Sequence, residues 1–212
     1  MINTFLEVWE SQNLGARTVE HLSMFGIALF VSIILGVLIG FILYKNPKLA
    51  DLAFNFLNIV ETIPSLALLV LLLPLAGLGK GPTIIASILY SLLPIARNTY
   101  TGLTSVSKSH IEVAQALGLT EKEILLKVRF PLALPLIAAG IRIAIVFTMG
   151  VVTLGGLIAA GGLGAPIQTG IHLYDKNIIL VSSLWVGFLA IALDGLAALI
   201  EKKLEARFHG SH

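Results

Sequence analysis

Between Glu20 and Lys45 the chain carries no charged side chain, and the run is built mainly of Leu, Ile, Phe, Val, Ala and Gly. A helix of about 20 such residues crosses the roughly 30 Å hydrocarbon core of a bilayer, since each residue adds about 1.5 Å. The run is too long for the core of a cleaved leader, and it lacks a basic lead-in and a small-residue cleavage pattern, so it reads as a retained anchor. The remaining sequence agrees. Of 212 residues, 57% are hydrophobic and 12% charged, about half the charge of an ordinary soluble domain, and the mean hydropathy is +0.95. A water-soluble enzyme fits this composition poorly. The net charge of +2 is too small to point to nucleic acid, and zero cysteines exclude disulfides, thiolate metal sites and a cysteine nucleophile.

Five stretches have the length and character of spans, so the expected fold is an all-α membrane protein with five transmembrane helices. The first covers about Thr18 to Tyr44. The second opens at Asn46-Pro47, an N-cap followed by a proline at the first helical position, and reaches about Ala76. Pro64 is expected to bend it, leaving its first half along the interface or strongly tilted. Gly77 to Gly81 read as a tight turn, and Pro82 to about Thr101 as the third span, with Pro94 as an internal kink. The fourth runs from Pro131 to about Leu157 and the fifth from about Asn177 to Ile200. The membrane unit is thus 18–203, with short tails at 1–17 and 204–212.

Basic residues are enriched on cytoplasmic flanks. Counted over alternate connections, ten fall on one side: Lys45, Lys48, Arg97, Lys108, Lys122, Lys127, Arg129, Lys202, Lys203 and Arg207. Arg17, Lys80 and Lys176 fall on the other, and Arg142 lies inside a span. This places the N-terminus outside, the C-terminus in the cytoplasm, and residues 102–130 in one large cytoplasmic loop. Glu7, Glu10 and Glu20 fit an exported tail.

Within that loop, Ser109-His-Ile-Glu112 and Thr120-Glu-Lys-Glu123 both have the Ser/Thr-x-x-Glu form of a capping box. Gly118 stands between them, where a left-handed helix terminus favours glycine. The expectation is two short helices joined by an elbow at Gly118-Leu119. Ile111, Ala114, Ala116 and Leu117 give the first a small, apolar surface, and Ile124, Leu125, Val128 and Phe130 lead the second into Pro131. Such an elbow suits a groove on another protein, although an ordinary interhelical connector would carry the same pattern.

The order Glu112-Val-Ala114-Gln-Ala-Leu-Gly118, nine residues, then Val128-Arg-Phe-Pro131 resembles the EAA signature of ABC importer permeases. Val113, Val128 and Phe130 are mild departures from it. More narrowly, Asn58-Ile-Val-Glu-Thr-Ile-Pro64-Ser-Leu-Ala and Leu92-Leu-Pro94-Ile-Ala-Arg97-Asn-Thr-Tyr-Thr-Gly102 resemble the permeases of osmoprotectant importers for glycine betaine, carnitine and choline, as does Gly161-Gly-Leu-Gly164. The likeness runs from about residue 18 to 203. It implies a type I importer permease fold in a bacterial cytoplasmic membrane. It also implies a second permease copy or sister chain, cytoplasmic ATPases that carry the ATP and Mg, and an extracytoplasmic solute-binding protein. By the same resemblance Glu112, Ala114, Gly118 and Leu119 map onto the element that couples to the ATPase, and transport proceeds by alternating access. A permease for amino acids or another small solute is the alternative, because the signature loop is shared widely.

Several polar residues lie within the spans. Arg142 is about 16 Å into the fourth, where a bare cation is costly. Glu61 enters from the same side to a comparable depth, so the two are a candidate pair or gate. A purely structural ion pair, or an arginine reaching for the headgroups, explains Arg142 as well, and Asp194 is another possible partner. Pro64 and Pro94 each free a backbone carbonyl, which can shape a solute path or simply bend a helix. Their polar neighbours, Thr62 and Ser65 with Glu61, and Tyr90 and Asn98, complete the candidate path. Gly36-x-x-x-Gly40 suits close helix packing, and Gly155-Gly156 with Gly161, Gly162 and Gly164 suits packing or a re-entrant turn. The sequence shows no clustered aromatic set for a quaternary ammonium.

Enzyme and channel readings find little support. There is no His-Glu-x-x-His, no Gly-x-Ser-x-Gly and no Gly-x4-Gly-Lys-Ser/Thr, and the histidines are scattered over 21, 110, 172, 209 and 212. No catalytic or metal-ligating set is expected, so energy must come from a partner.

Overall fold

The computed structural model describes residues 2–208; the close of the C-terminal tail, including Gly210-Ser211-His212, lies outside the described residues. Among the described residues every regular element is helical. The helices are α1 (Ile2–Ser11), α2 (Leu14–Leu43), α3 (Pro47–Thr62), α4 (Ser65–Ala76), α5 (Lys80–Thr104), α6 (Lys108–Ala116), α7 (Glu121–Ile124), α8 (Phe130–Leu154), α9 (Gly164–Leu173) and α10 (Lys176–Phe208). A π turn at Leu125–Arg129 joins α7 to α8, and a 3₁₀ turn at Gly155–Ile158 follows α8.

Three helical runs are long and apolar enough to cross a membrane: Leu14–Leu43, Glu121–Ile158 and Lys176–Phe208. A fourth candidate is the pair α3 and α4, which meet at 97°. The break falls at Ile63-Pro64, both extended, with Asn46 capping the start of α3 through Leu49 N. Pro64 cannot donate to the helix before it, so bending is concentrated there.

Helix α5 is the centre of the bundle, packed mainly on α2 and α8. It buries Thr83, Ser87, Ser91 and Thr99 completely, which explains why it is less apolar than the flanking spans: it faces protein rather than lipid. Each hydroxyl has a partner. Ser87 donates to Thr83 O at 2.8 Å, Thr99 to Ile95 O at 2.7 Å, and Ser91 meets Thr148 of α8 at 2.8 Å. Close approach to α2 is made possible by glycine. A Cβ at Gly36 would stand 2.7 Å from Ile95 Cβ, and one at Gly40 2.5 Å from Thr99 Cβ, so the Gly-x-x-x-Gly pair is a packing device.

Four sequence expectations change. The tail before residue 18 contains α1, whose Val8 is buried and whose Trp9 meets Trp185 of α10 at 5.1 Å. Helix α6 begins at Lys108 after Ser107, without a side-chain cap, so the Ser109–Glu112 box does not form; the chain enters the helix before Ser109 can act as its N-cap. The second loop helix is not separate from the fourth span, because α7, the π turn and α8 run on as one rod. Pro131 does not start that span. Its missing N–H leaves Lys127 O without a partner four residues on, and the widened turn instead closes from Phe130 N to Leu125 O. The fourth change is α9, a helix within a segment read as a connection.

Candidate functional site: a cavity at the broken helix and a cytoplasmic-loop elbow

The break between α3 and α4 opens a cavity of about 730 Å³ walled on the far side by α8. Glu61, Thr62, Pro64, Ser65 and Tyr90 all line it, together with Phe147, Gly150 and Thr153 of α8. Tyr90 hydroxyl donates to Ile63 O, satisfying a carbonyl beside the break. The site therefore offers one carboxylate, two aromatic rings and several hydroxyls in an apolar wall. Phe147, Gly150 and Thr153 have no distinctive sequence spacing; only the fold brings them opposite Glu61.

The other three expected path residues lie elsewhere. Pro94 and Asn98 are at the α5–α8 contact, where Asn98 Nδ2 donates to Pro94 O at 2.8 Å and both crowd Gly140. Arg142 faces α10. Its Nε and Nη2 donate to the two carboxylate oxygens of Asp194 at 2.7 and 3.0 Å, and Nη1 donates to Glu201 at 3.2 Å. The candidate Glu61–Arg142 pair is thus not formed: α10 supplies both partners, and Glu61 sits at the helix break. Sequence spacing named Asp194 as one option and missed Glu201, which is one heptad further on the same helix face.

At the other site, Gly118 has φ +80° and turns the chain after α6. Leu119 N donates to Ala114 O at 3.1 Å, closing the helix end, and Ala114 is buried while Glu112 is exposed. The Thr120–Glu123 capping box is complete: Glu123 N donates to Thr120 Oγ1 at 3.4 Å and Thr120 N to Glu123 Oε2 at 3.0 Å. Lys127 at 2.8 Å, then the Thr120 donors, hold the Glu123 carboxyl down at about 2, so the cap is ionised throughout the physiological range. Val113 and Leu117 are 61% and 74% exposed on one side of α6, beside an apolar groove of about 420 Å³ that Ala114, Leu119 and Val128 also line.

Residues 161–164 are pinned to α2. Gly162 N donates to Glu20 Oε2 at 3.0 Å, Arg17 holds the same oxygen at 3.0 Å, and Leu163 N meets His21 Nδ1 at 3.4 Å. A Cβ on Gly156 would stand 2.2 Å from Gly164 C, so this segment is a packed joint. Phe5, Trp9, Trp185 and Phe188 do cluster, with ring centroids 5.1 to 6.4 Å apart. Sequence separation hid this set; the rings pack on one another, and Phe5 and Trp185 also border a cavity of about 490 Å³ with Asn177 and Leu180. Among the described residues no group of His, Cys, Asp and Glu is arranged to hold a metal.

Residues 32–206 match the family described as binding-protein-dependent transport system inner membrane component. The chain belongs to this family. The permease is 41% identical over 201 residues to the glycine betaine/carnitine/choline transport system permease protein OpuCB of Bacillus subtilis, covering 95% of this chain and 92% of that one. It is 40% identical to the choline transport system permease protein OpuBB of the same organism, over 89% and 87% of the two chains. Among solved structures, the inward-facing MetNI methionine ABC transporter superposes with a TM-score of 0.80 at 26% identity, covering 90% of the permease and 96% of that chain. The permease is thus an integral membrane component of a transport system, with the type I ABC importer permease fold.

Proposed function

We propose that the permease is the membrane subunit of an ATP-driven bacterial importer for quaternary ammonium osmolytes such as glycine betaine, carnitine or choline. The observation that carries this reading is the 41% identity, over nearly the whole chain, with a permease of that substrate class. The methionine system is less similar in sequence, which ranks an amino-acid cargo second.

In this reading α2, the bent pair α3–α4, α5, α8 and α10 are five spans, with the N-terminus outside and the basic loop in the cytoplasm. The broken helix borders the solute path. Glu61 offers a negative charge, and Tyr90 and Phe147 offer aromatic faces, to a cation that must be held weakly enough to leave. The exposed side of α6, with Val113 and Leu117, seats in an ATPase subunit, while Glu112, Ala114, Gly118 and Leu119 set the shape of the elbow. Because α7 continues into α8, a push on the elbow moves a rigid span rather than a slack loop. A second permease completes the path, and an external binding protein delivers the solute.

The test is uptake of labelled glycine betaine into vesicles holding the permease with its ATPase and binding protein, with and without internal ATP. Uptake that requires ATP and is blocked by choline or carnitine is the expected result. Solute-stimulated ATP hydrolysis without such uptake would keep the importer architecture and reject the osmolyte assignment.

A further inference from the structure

The elbow has a second side. Ile111 and Gln115 stand two residues before Val113 and Leu117 and so project almost oppositely from α6. They line a cavity of about 480 Å³ between the elbow and the ends of α2 and α5, with Tyr44, Lys45, Thr104, Glu121, Ile124 and Arg129 completing the wall. Lys45 follows the end of the α2 span by two residues, and Arg129 precedes the proline at the base of α8. The cavity therefore sits where apolar spans give way to polar chain.

Its charge is unevenly satisfied. Arg129 Nη1 donates to Leu103 O at 2.7 Å, and the guanidinium makes no other hydrogen bond to the described residues. Among the described residues the one carboxylate paired with Lys45 is Glu121 at 3.0 Å, whose side chain is 83% exposed, with the Tyr44 ring centroid 5.7 Å from Lys45 Nζ. A pair this exposed is exchanged for another anion at little cost. Two cations against one carboxylate leave the wall net positive. Above Lys45, Ile42 and Leu38 continue the same helical face at spacings of three and four and are 59% and 52% exposed, an apolar track rising from a basic mouth.

We propose that this cavity binds the phosphate of an anionic membrane phospholipid, with Lys45 and Arg129 on the phosphodiester and an acyl chain along Ile42 and Leu38. A basic pocket between helix ends at the membrane surface suits that chemistry. The lipid would wedge the end of α2 against the elbow on the side away from the Val113–Leu117 face. The proposal requires a membrane-embedded chain and is independent of the solute carried.

The assay is binding of dioleoylphosphatidylglycerol, against dioleoylphosphatidylcholine, to the purified full transporter by native mass spectrometry, with a photoactivatable phosphatidylglycerol to locate the contact. Phosphatidylglycerol is expected to bind preferentially and to crosslink the peptides carrying Lys45 or Thr104. Lys45→Gln with Arg129→Gln should weaken it about thirtyfold, whereas Lys48→Gln, exposed on the same interface but outside the cavity, should change it less than twofold. Equal binding of both lipids, equal loss in Lys48→Gln, or a crosslink confined to other segments overturns the proposal. Displacement of the lipid by millimolar inorganic phosphate overturns it too, in favour of a soluble-anion site. Should the Arg129 variant fail to fold, the wild-type crosslink and Lys45→Gln alone decide the matter. No preference for phosphatidylglycerol in the wild-type transporter, with ATP-driven betaine uptake intact, refutes the lipid site and leaves the transport reading standing.

Discussion

At the scale of single residues, Arg142 shows why a charge in a span needs its partners specified. Asp194 meets it with both oxygens and Glu201 with one, so its donors are engaged by α10 and it holds two helices together. Arg142→Asp or Asp194→Arg alone should sharply reduce the amount of folded permease in the membrane, because each leaves like charges facing across the α8–α10 contact. The double exchange should recover most of it, while Glu61→Gln combined with Arg142→Gln should be additive; immunoblot yield and detergent-resistant monodispersity read both. Tyr90 offers a milder test. Tyr90→Phe keeps the ring in the cavity wall but strands Ile63 O beside the break, and should lower thermal stability by about 1 kcal/mol. At Gly118 the constraint is the backbone: with φ +80° and nothing crowding a Cβ, Gly118→Val strains the turn by about 1–3 kcal/mol. ATPase activity of the assembled transporter should then persist with little uptake, and normal uptake at normal expression would refute a coupling role for the elbow.

At the scale of elements, local sequence was a good guide to several features settled within one helical turn or by a single proline, the unformed Ser109–Glu112 box being the exception. The Thr120 capping box, the glycine at the elbow and the bend at Pro64 are of this kind, and each follows from which backbone group lacks a partner. What was not legible depends on which helix lies next to which. Glu201 and Asp194 are indistinguishable as partners for Arg142 until α10 is laid along α8, and the cavity joins residues near 62 with residues near 150. The π turn was hidden for another reason: a proline is as compatible with a helix start as with a widened turn, and continuity from α7 decides between them. Helix spacing around α5 gives a prediction at this scale. Gly40→Ala adds a methyl 2.5 Å from Thr99 Cβ, and the overpacking cost of about 1–3 kcal/mol exceeds the roughly 1 kcal/mol that alanine gains in a helix. Gly26 has nothing within 4 Å, so Gly26→Ala should leave the melting temperature unchanged or raise it, and Gly40→Ala should lower it.

At the scale of the whole molecule, the rod formed by α7, the π turn and α8 joins the elbow to the wall of the cavity, since Phe147, Gly150 and Thr153 stand near its far end. Alternating access through this rod requires the elbow and the acidic end of the chain to face opposite sides of the membrane. The absence of cysteine makes that arrangement directly measurable, because each introduced thiol is unique. Glu10 and Ser109 are both exposed, one on α1 and one on α6. In intact cells a membrane-impermeant maleimide should label Glu10→Cys, and Ser109→Cys should react only after permeabilisation. Docking of the ATPase should then protect a thiol at Val113, on the open side of α6, more than one at Gln115, which faces the basic cavity. The reverse labelling pattern would invert the topology and remove the elbow from the side where ATP is supplied; equal protection at 113 and 115 would show that the ATPase engages both faces of α6 and closes the cavity rather than leaving it to the membrane.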